Sequence, residues 1–456
     1  MTIRLCNRNF IRTIGYFLFV ISCGCTPDQP LSEPVKPVAV TPPAPVAAAP
    51  AVEQIVDVPS LLATATEALQ TGQIKAAGGP IRKAFSMAPE NPQVVFTMAM
   101  VLGEEHRYPE AIMMLDELAE AVPETQLPAL GQTAQWLVQQ GSWDEAETRY
   151  RAVLDAVPDA TMAHRQLAQL LVRQGRRLEA AAPLNALCEQ GNVEEIELRT
   201  LLSLSAPFAA DASREHLDPI GSVGRARAAA GKDEWDSVIA ELQSVTPQSS
   251  TQSALLGRAY AEQGDFESLK QWIETNTETI PDNADAWFAR GVSAANDQDD
   301  RRAVKCFCEA ILSDSTDDKA YFQLASSLSR LVPDAQNVSA DQAETVLQRA
   351  TSIARTREIG QQLAQSNQRN LNDLAELAKL LEDLHRPLES LSWQAVRIAY
   401  GRSTIAANEQ QSQLTEINQQ RMELAKNPQP VDKQFVLCGV DYESIATGDT
   451  TENKEE

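Results

Sequence analysis

The chain has 456 residues, which is enough for two or three ordinary domains or for one long array of repeats. Lysine and arginine number 39 against 63 aspartate and glutamate residues, a formal net charge of −24 that argues against nucleic acid and anionic lipid surfaces as partners. Aromatic residues make up only 5% of a chain rich in alanine, leucine, glutamate and glutamine, a balance typical of helical proteins.

The first 22 residues have the layout of a secretory signal peptide. A basic head with Arg4, Arg8 and Arg12 precedes a short apolar run at residues 14–22, and no acidic residue occurs before Asp28. The run is much shorter than the ~20 apolar residues that a membrane-spanning helix needs. We therefore predict an exported protein that does not span the membrane.

The apolar run ends in Val20, Ile21, Ser22 and Cys23. This sequence resembles the lipobox of bacterial lipoproteins, in which the cysteine thiol takes a diacylglyceryl group and the signal is cut before it. The resemblance implies lipid attachment at Cys23, with Cys25 as a poorer alternative because Ser22 would then hold the aliphatic position. An ordinary cleaved signal with an incidental cysteine is the other interpretation.

The lipid would anchor the protein to the cell envelope without a membrane span. Neither Gly24 nor Thr26 is the aspartate that commonly retains such lipoproteins in the inner membrane, so the resemblance favours the outer membrane. Residues 23–57, which include PVKPVAVTPPAPVAAAP, lack the periodicity needed to build a core. They are predicted to form a disordered tether, which would reach on the order of 80–90 Å if it were fully extended as polyproline II.

A period of 34 residues runs through the rest of the chain. Gly257 and Gly291 are 34 residues apart, as are Ile273 and Phe307, and the pattern continues upstream in HRYPEAIMMLDELAEAVPE and GSWDEAETRYRAVLDAVPDA. It resembles the tetratricopeptide repeat, a unit of two antiparallel helices. The resemblance implies an all-α fold, a right-handed superhelical solenoid of helix pairs, with a disordered linker before it and an acidic tail after it.

The repeat register assigns packing roles to small and large residues. The small residues expected where paired helices cross closely are Gly257, Gly291, Ala146 and Ala303. The larger residues expected to fill the layer between repeats are Tyr150, Ile273 and Phe307. The residues expected to turn the chain between helices are Gly141, Gly175 and Gly264.

The segment PFAADASREHLDP breaks the period and is predicted to be a hinge between two arrays. A polar helix follows the second array, with no second face to bury, and the tail contains one strand-like segment, FVLCGV.

The predicted divisions are a signal peptide at 1–22, the lipidated cysteine and tether at 23–57, a first array at 58–207, the hinge at 208–218, a second array at 219–402, the long polar helix at 403–427 and a mostly disordered tail at 428–456.

The chain lacks the residue spacings that catalysis or metal binding requires. Its four histidines are scattered, and none lies at a metal-ligand spacing from another histidine or cysteine. The segment GRARAAAGKDE lacks the first glycine and the final serine or threonine of a phosphate loop, and no nucleophile elbow occurs. We therefore predict no catalytic, cofactor-binding or metal site, and no enzymatic activity.

The predicted function rests on the surface of the repeats. In tetratricopeptide-repeat proteins the first helix of each unit lines a concave groove that binds peptides or protein segments. Carrying the register over assigns groove positions to Arg165, Gln169, Arg173, Arg258, Phe288 and Phe322. Arginine and aromatic residues are enriched at interface hot spots, although the same residues could be ordinary parts of a helix surface.

The sequence thus predicts a lipid-anchored scaffold that binds protein partners in the bacterial cell envelope. Its partner would be a protein or peptide segment in the groove, and its contact with the membrane would be through the lipid alone. The alternative is a helical accessory subunit of a secretion or outer-membrane assembly complex, docked through the long polar helix and the tail. An enzyme of unseen chemistry is the third possibility.

Overall fold

A computed structural model describes residues 57–211, 218–246, 248–276, 283–333, 337–401, 406–427 and 432–447. Among these residues the chain forms α-helices and short 3-10 segments, and no β-strand occurs. Successive helices contact each other in pairs, which confirms the predicted all-α fold of consecutive helix pairs. The predicted signal peptide, Cys23, Cys25 and the tether lie outside the described residues.

The chain divides into two compact units, Met1–Val153 and Leu154–Glu456. The division lies earlier in the chain than the predicted hinge at residues 208–218, of which 212–217 lie outside the described residues. Phe208, at the near end of that segment, is buried. The predicted limits of the two arrays stay a prediction.

The first unit consists of helix pairs. Its helices are α1 (Val58–Gln70), α2 (Ile74–Met87), α3 (Pro92–Glu104), α4 (Tyr108–Ala121), α5 (Gln126–Gln140) and α6 (Trp143–Ala156). Asp57 and Asn91 begin α1 and α3, because each side-chain oxygen accepts a backbone N–H of the first turn. Arg149 of α6 ties the later helices together, since its Nη1 lies 2.6 Å from both Asp116 of α4 and Thr133 of α5.

The second unit begins with α7 (Thr161–Arg173), α8 (Arg177–Gln190), α9 (Glu195–Leu202), α10 (Gly221–Ala230), α11 (Trp235–Gln243), α12 (Ser250–Gln263), α13 (Phe266–Thr275), α14 (Ala284–Asn296) and α15 (Asp300–Ser313). It continues with α16 (Asp318–Leu331), α17 (Ala340–Gln365), α18 (Leu371–Asp383), α19 (Pro387–Tyr400), α20 (Ala407–Lys426), α21 (Lys433–Val436) and α22 (Tyr442–Thr447). Helix α17 has 26 residues, against 14 in α16, and its extra turns contact α9.

The close helix crossings predicted from the repeat register are present. A methyl group on Gly257 would lie 2.5 Å from the Trp272 ring, and one on Gly291 would lie 2.6 Å from the Phe307 ring. Ala303 is fully buried in the same layer. The predicted turn glycines have left-handed backbones, with φ of 85°, 77° and 73° at Gly141, Gly175 and Gly264.

The last helices of the second unit fold back onto its first helices. Helix α19 contacts α8 and α9, and α20 contacts α8. Arg369, just before α18, lies 2.6 Å from Glu195 at the start of α9. Arg386, just before α19, donates a 2.6 Å hydrogen bond from Nη2 to the carbonyl oxygen of Leu201. The array of the second unit therefore closes on itself.

Helix α20 differs from the predicted polar helix with no face to bury. It packs Ile417 against Leu391 and Ile398 of α19, with Leu414 and Leu424 beside them. Three leucine and isoleucine side chains spaced along one side of a mostly polar helix are enough for this contact. Helix α20 therefore buries one apolar side, on α19, and the rest of it is mostly polar.

The segment FVLCGV is not a strand. Its first residues belong to α21, and Val436, Leu437 and Val440 are buried in the main core of the second unit. The Tyr321 hydroxyl of α16 donates a 3.0 Å hydrogen bond to the Val436 carbonyl oxygen. The prediction of a mostly disordered tail is therefore wrong for residues 432–447, because their apolar side chains have a core to enter.

Candidate functional site

Two of the predicted groove residues lie in the core of the second unit. Arg258 is 4% exposed and Phe288 is 3% exposed. The Arg258 guanidinium carbon lies 4.1 Å from the centroid of the Phe288 ring, so the two side chains contact each other. A partner could not reach either side chain, and their assignment to an open groove was wrong.

The predicted groove arginines of α7 hold parts of the second unit together. Arg165 Nε donates to Glu197 of α9 at 2.7 Å, and Arg173 Nε donates to the carbonyl oxygen of Asp218 at 2.9 Å. Gln169, on the same helix, is half-buried. Phe322 of α16 is 38% exposed and is the one predicted groove aromatic that a partner could touch.

One side of helices α10, α12, α14 and α16 presents the residues Arg227, Arg258, Asp285 and Asp317. We call this side the inner face of the second unit, and these four residues form a buried ionic network on it. The Arg227 guanidinium binds both oxygens of Asp285. Arg258 Nη1 lies 2.5 Å from Asp317 and 3.6 Å from Asp285. Helices α10, α12 and α14 and the N-cap residue of α16 thus each contribute one charge to a network that links α10 to α16.

Opposite charges favour the ionised forms of Arg258 and Asp317 despite their burial. Burial lowers the pKa of Arg258, but the charges of Asp317, Glu262 and Asp285 outweigh it and raise that pKa well above its ordinary value. Burial raises the pKa of Asp317, and the Arg258 guanidinium more than reverses this effect. Asp314 differs, because burial and the charge of Asp317 raise its pKa.

The chain's own segment 203–211 lies across the inner face in a non-helical conformation. Arg177 Nη2 donates to the carbonyl oxygen of Ser203 at 2.7 Å, and Arg227 Nη1 donates to that of Ser205 at 2.8 Å. The backbone N–H of Leu204 donates to the Thr316 hydroxyl at 3.0 Å. Side chains of the array therefore recognise the backbone of this segment.

Two glycines make room for the middle of segment 203–211. The Pro207 carbonyl oxygen occupies the space where a side chain of Gly231 would begin. A methyl group on Gly360 of α17 would lie 2.5 Å from the Phe208 ring. The array is therefore shaped to hold a proline and a phenylalanine at this place.

An open cleft of about 490 Å³ borders segment 203–211 on the inner face. The side chains that give it chemical character are Trp235, Lys319, Arg357, Glu262 and Asp318. Lys319 Nζ lies 5.4 Å from the Trp235 ring and 2.7 Å from Glu262, and Arg357 binds Asp318. The cleft offers an aromatic face, both signs of charge and the backbone of a non-helical segment, which suits a protein segment better than a small apolar ligand.

Within the part of the chain that the structure describes, no group of three or more histidine, cysteine, aspartate or glutamate residues could hold a metal ion. The same residues include no helix long and apolar enough to cross a membrane.

Residues 132–194, from α5 to α8, match the family model described as the tetratricopeptide repeat. These residues carry tetratricopeptide repeats. The match covers two helix pairs, and proteins with this repeat generally act as scaffolds for protein interactions. A search of curated protein sequences finds no match to the chain.

Several solved structures resemble the chain weakly. A tetratricopeptide-repeat protein from Parabacteroides merdae is 14% identical, with a TM-score of 0.26, over 59% of this chain and 98% of that one. The APC/C hetero-tetramer Cut9–Hcn1 is 14% identical, with a TM-score of 0.26, over 85% and 89%. The P58(IPK) repeat domain is 15% identical, with a TM-score of 0.23, over 82% and 99%. Likeness at this level says nothing about partners.

The sequence did not reveal that the repeat array holds its own segment. Residues 203–211 follow no period, so they indicated only a break in the repeats. The available signal was the pair Gly231 and Gly360, which are not at repeat crossings and leave space for Pro207 and Phe208. A glycine outside the repeat pattern can therefore mark where another part of the chain packs.

Proposed function

We propose that this protein is a lipid-anchored tetratricopeptide-repeat scaffold that binds protein partners in the bacterial cell envelope. The anchor is the predicted lipid on Cys23, the tether is residues 23–57, and the outer membrane is the favoured location. Binding rather than catalysis is the role of the repeat units. The basic head, the short apolar run and the lipobox support the anchor.

The cleft on the inner face is the proposed binding site. The observation that carries the proposal is that this face already holds a non-helical stretch of protein, residues 203–211, through the backbone carbonyls of Ser203 and Ser205. The cleft continues beside residues 205–209, so a second protein segment can lie next to the first. Trp235 would pack on an apolar side chain of the partner, and Lys319 would pair with an acidic one.

Capture from solubilised membranes followed by affinity measurement tests this site. We expect the double variant Trp235→Ala/Lys319→Glu to bind the captured partner at least ~30-fold more weakly, because two interface residues typically cost ~1–2 kcal/mol each. The matched control is Trp143→Ala/Lys270→Glu, which carries the same two changes away from the cleft. Circular dichroism checks that both variants stay helical.

Equal affinity of the cleft variant and the wild-type protein would place the binding surface elsewhere. The first surface to test would then be the outer side of α20, where Met422 is 54% exposed. Equal losses in the cleft and control variants would also count against the cleft.

Membrane fractionation with radioactive palmitate tests the anchor. We expect Cys23→Ser to abolish labelling and release the protein from membranes, because no other acyl chain would hold it. The matched control, Cys25→Ser, should keep both label and membrane association. The reverse result would assign the lipid to Cys25, and labelling of neither wild-type nor variant would refute the lipobox.

A further inference from the structure

A small cavity lies next to segment 203–211. Its volume is about 30 Å³, more than the ~10–15 Å³ that one water molecule needs. The polar side chains that line it are Arg177 of α8, Arg227 of α10, Asp211 and Thr200. Pro207 and Phe208 form another part of the wall, so the cavity borders the segment that the inner face holds.

The Arg177 guanidinium is buried without a carboxylate partner. The residue is 4% exposed, and its hydrogen bonds go to the carbonyl oxygens of Ser203, at 2.7 Å, and Thr200, at 3.5 Å. Among the described residues no aspartate or glutamate lies within ion-pair distance of it. A buried charge is normally paired, and among the buried arginines that the structure describes in this unit, Arg177 shares the lack of a carboxylate partner with Arg421 alone.

Each arginine beside the cavity also has one unused donor. The Nε–H of Arg177 and the Nε–H of Arg227 are buried and have no hydrogen-bond acceptor among the described residues. The Nη groups of Arg227 are already bonded to Asp285 and to the carbonyl oxygen of Ser205. Buried donors of this kind usually have a partner, which can be a water or an ion.

The nearby carboxylate does not supply the missing acceptor. Asp211 also lines the cavity, but its two oxygens accept hydrogen bonds from Arg199, at 2.9 and 2.7 Å. Burial, and then the charge of Arg227, lower the pKa of Arg177 to about 10, which leaves the group charged at neutral pH. Two positively charged guanidinium groups, those of Arg177 and Arg227, therefore line this cavity, and the Nε–H donor of each has no acceptor among the described residues.

We propose that the cavity binds a small monovalent anion of the halide class, chloride under ordinary conditions, between the Nε–H groups of Arg177 and Arg227. An anion accepts from both donors and compensates the unpaired charge of Arg177. A water molecule could accept two hydrogen bonds but would bring no charge.

The ion would hold segment 203–211 in place. Arg177 and Arg227 each bind one of its carbonyl oxygens, at Ser203 and Ser205, while Pro207 and Phe208 touch the cavity wall. A bound anion would fix both arginines in these positions. Halide would thus stabilise the wall of the neighbouring cleft as well as the buried charges.

Crystallography with bromide tests the site directly on the unaltered full chain. Crystals grown with sodium bromide in place of sodium chloride should show an anomalous peak within hydrogen-bonding distance of both Nε atoms. Density without an anomalous signal would identify a water molecule and overturn the proposal. An empty cavity would overturn it too.

Thermal unfolding gives a second test. We expect the melting temperature of the wild-type protein to rise with sodium chloride and to saturate, while sodium gluconate at the same ionic strength produces no such saturation. Arg177→Gln should lose the chloride response, and Arg225→Gln, which alters an exposed arginine of α10 paired with Glu241, should retain it. An equal response in chloride and gluconate, or an equal loss in both variants, would refute a specific site. If Arg177→Gln does not fold, the bromide result decides.

Discussion

The Asp314 carboxylate lies in the core of the second unit, and only one of its two oxygens accepts hydrogen bonds. Oδ1 accepts hydrogen bonds from the backbone N–H and the hydroxyl of Thr316, at 2.9 and 2.7 Å. Oδ2 is buried and has no hydrogen-bond partner among the described residues. Burial and the charge of Asp317 raise the pKa of Asp314 above its ordinary value of 3.8, so ionising this group costs free energy of folding.

We expect Asp314→Asn to become more stable relative to wild type as pH rises. The folded pKa of Asp314 is raised, so its contribution to stability is fully present below about pH 3.8 and is lost as pH rises through the folded pKa. Asparagine keeps the acceptor for Thr316 and does not ionise. Urea unfolding between pH 3 and pH 8 measures the difference, with Asp155→Asn on the exposed side of α6 as control. A difference that does not change with pH would contradict the prediction.

At the scale of the element, segment 203–211 behaves as part of the core although it has no regular secondary structure. Its contacts come from residues far along the chain, including Thr316 and Gly360. The carbonyl oxygens of Ser203 and Ser205 accept hydrogen bonds from arginine side chains, where a helix would have used its own backbone. The packing of this one segment therefore joins α8, α10 and α17.

We expect Phe208→Ala to destabilise the second unit by ~3–5 kcal/mol, the usual cost of truncating a buried phenylalanine. The ring fills the space left by Gly360, and nothing else in the segment is large enough to replace it. Hydrogen exchange should speed up in residues 203–211 and in the contacting turns of α17, while α1 to α5 stay unchanged. The control is Phe266→Ala, which removes a ring that is already largely exposed. Equal destabilisation by both changes would mean that Phe208 has no special role.

The helix pairs could be predicted because their determinants are local. The spacing of Gly257 and Gly291 and of their large neighbours repeats along the chain, and the structure has those close crossings. The site could not be predicted in the same way. An arginine on a first helix looks identical in sequence whether it faces solvent or binds Asp317, which is 59 residues from Arg258. Reversing Arg258 to glutamate would leave folding intact if the residue faced an open groove, whereas in this core it would bury a negative charge beside other carboxylates.

At the scale of the whole molecule, the closed array of the second unit should unfold differently from an open one. In an open array each repeat contacts only its neighbours, so the terminal repeats have the fewest contacts and lose their structure first. Here the early helices α8 and α9 contact the late helices α18 and α19 or the turns before them.

Native-state hydrogen exchange measures this difference. We expect amides of α8 and α19 to be protected about as strongly as those of α14 and α15, because all four helices have neighbours on both sides. Arg369→Glu should reduce the protection of α9 and α18 by removing the ion pair with Glu195, and Arg225→Glu, which removes an exposed ion pair between α10 and α11, should not. Protection that declines steadily toward α8 and α19 in the wild-type protein would show that the closure contributes little to the stability of these helices against local unfolding.

Closure also restricts how the length of this protein can change. An open solenoid tolerates the gain or loss of a whole repeat, because the new end is equivalent to the old one. In the second unit, 34 additional residues between α13 and α14 would rotate and shift everything that follows, so Arg369 could no longer meet Glu195 and Phe208 could no longer meet Gly360. The number of repeats between α9 and α17 is therefore set by geometry, and related chains that keep this closure must vary in length outside it.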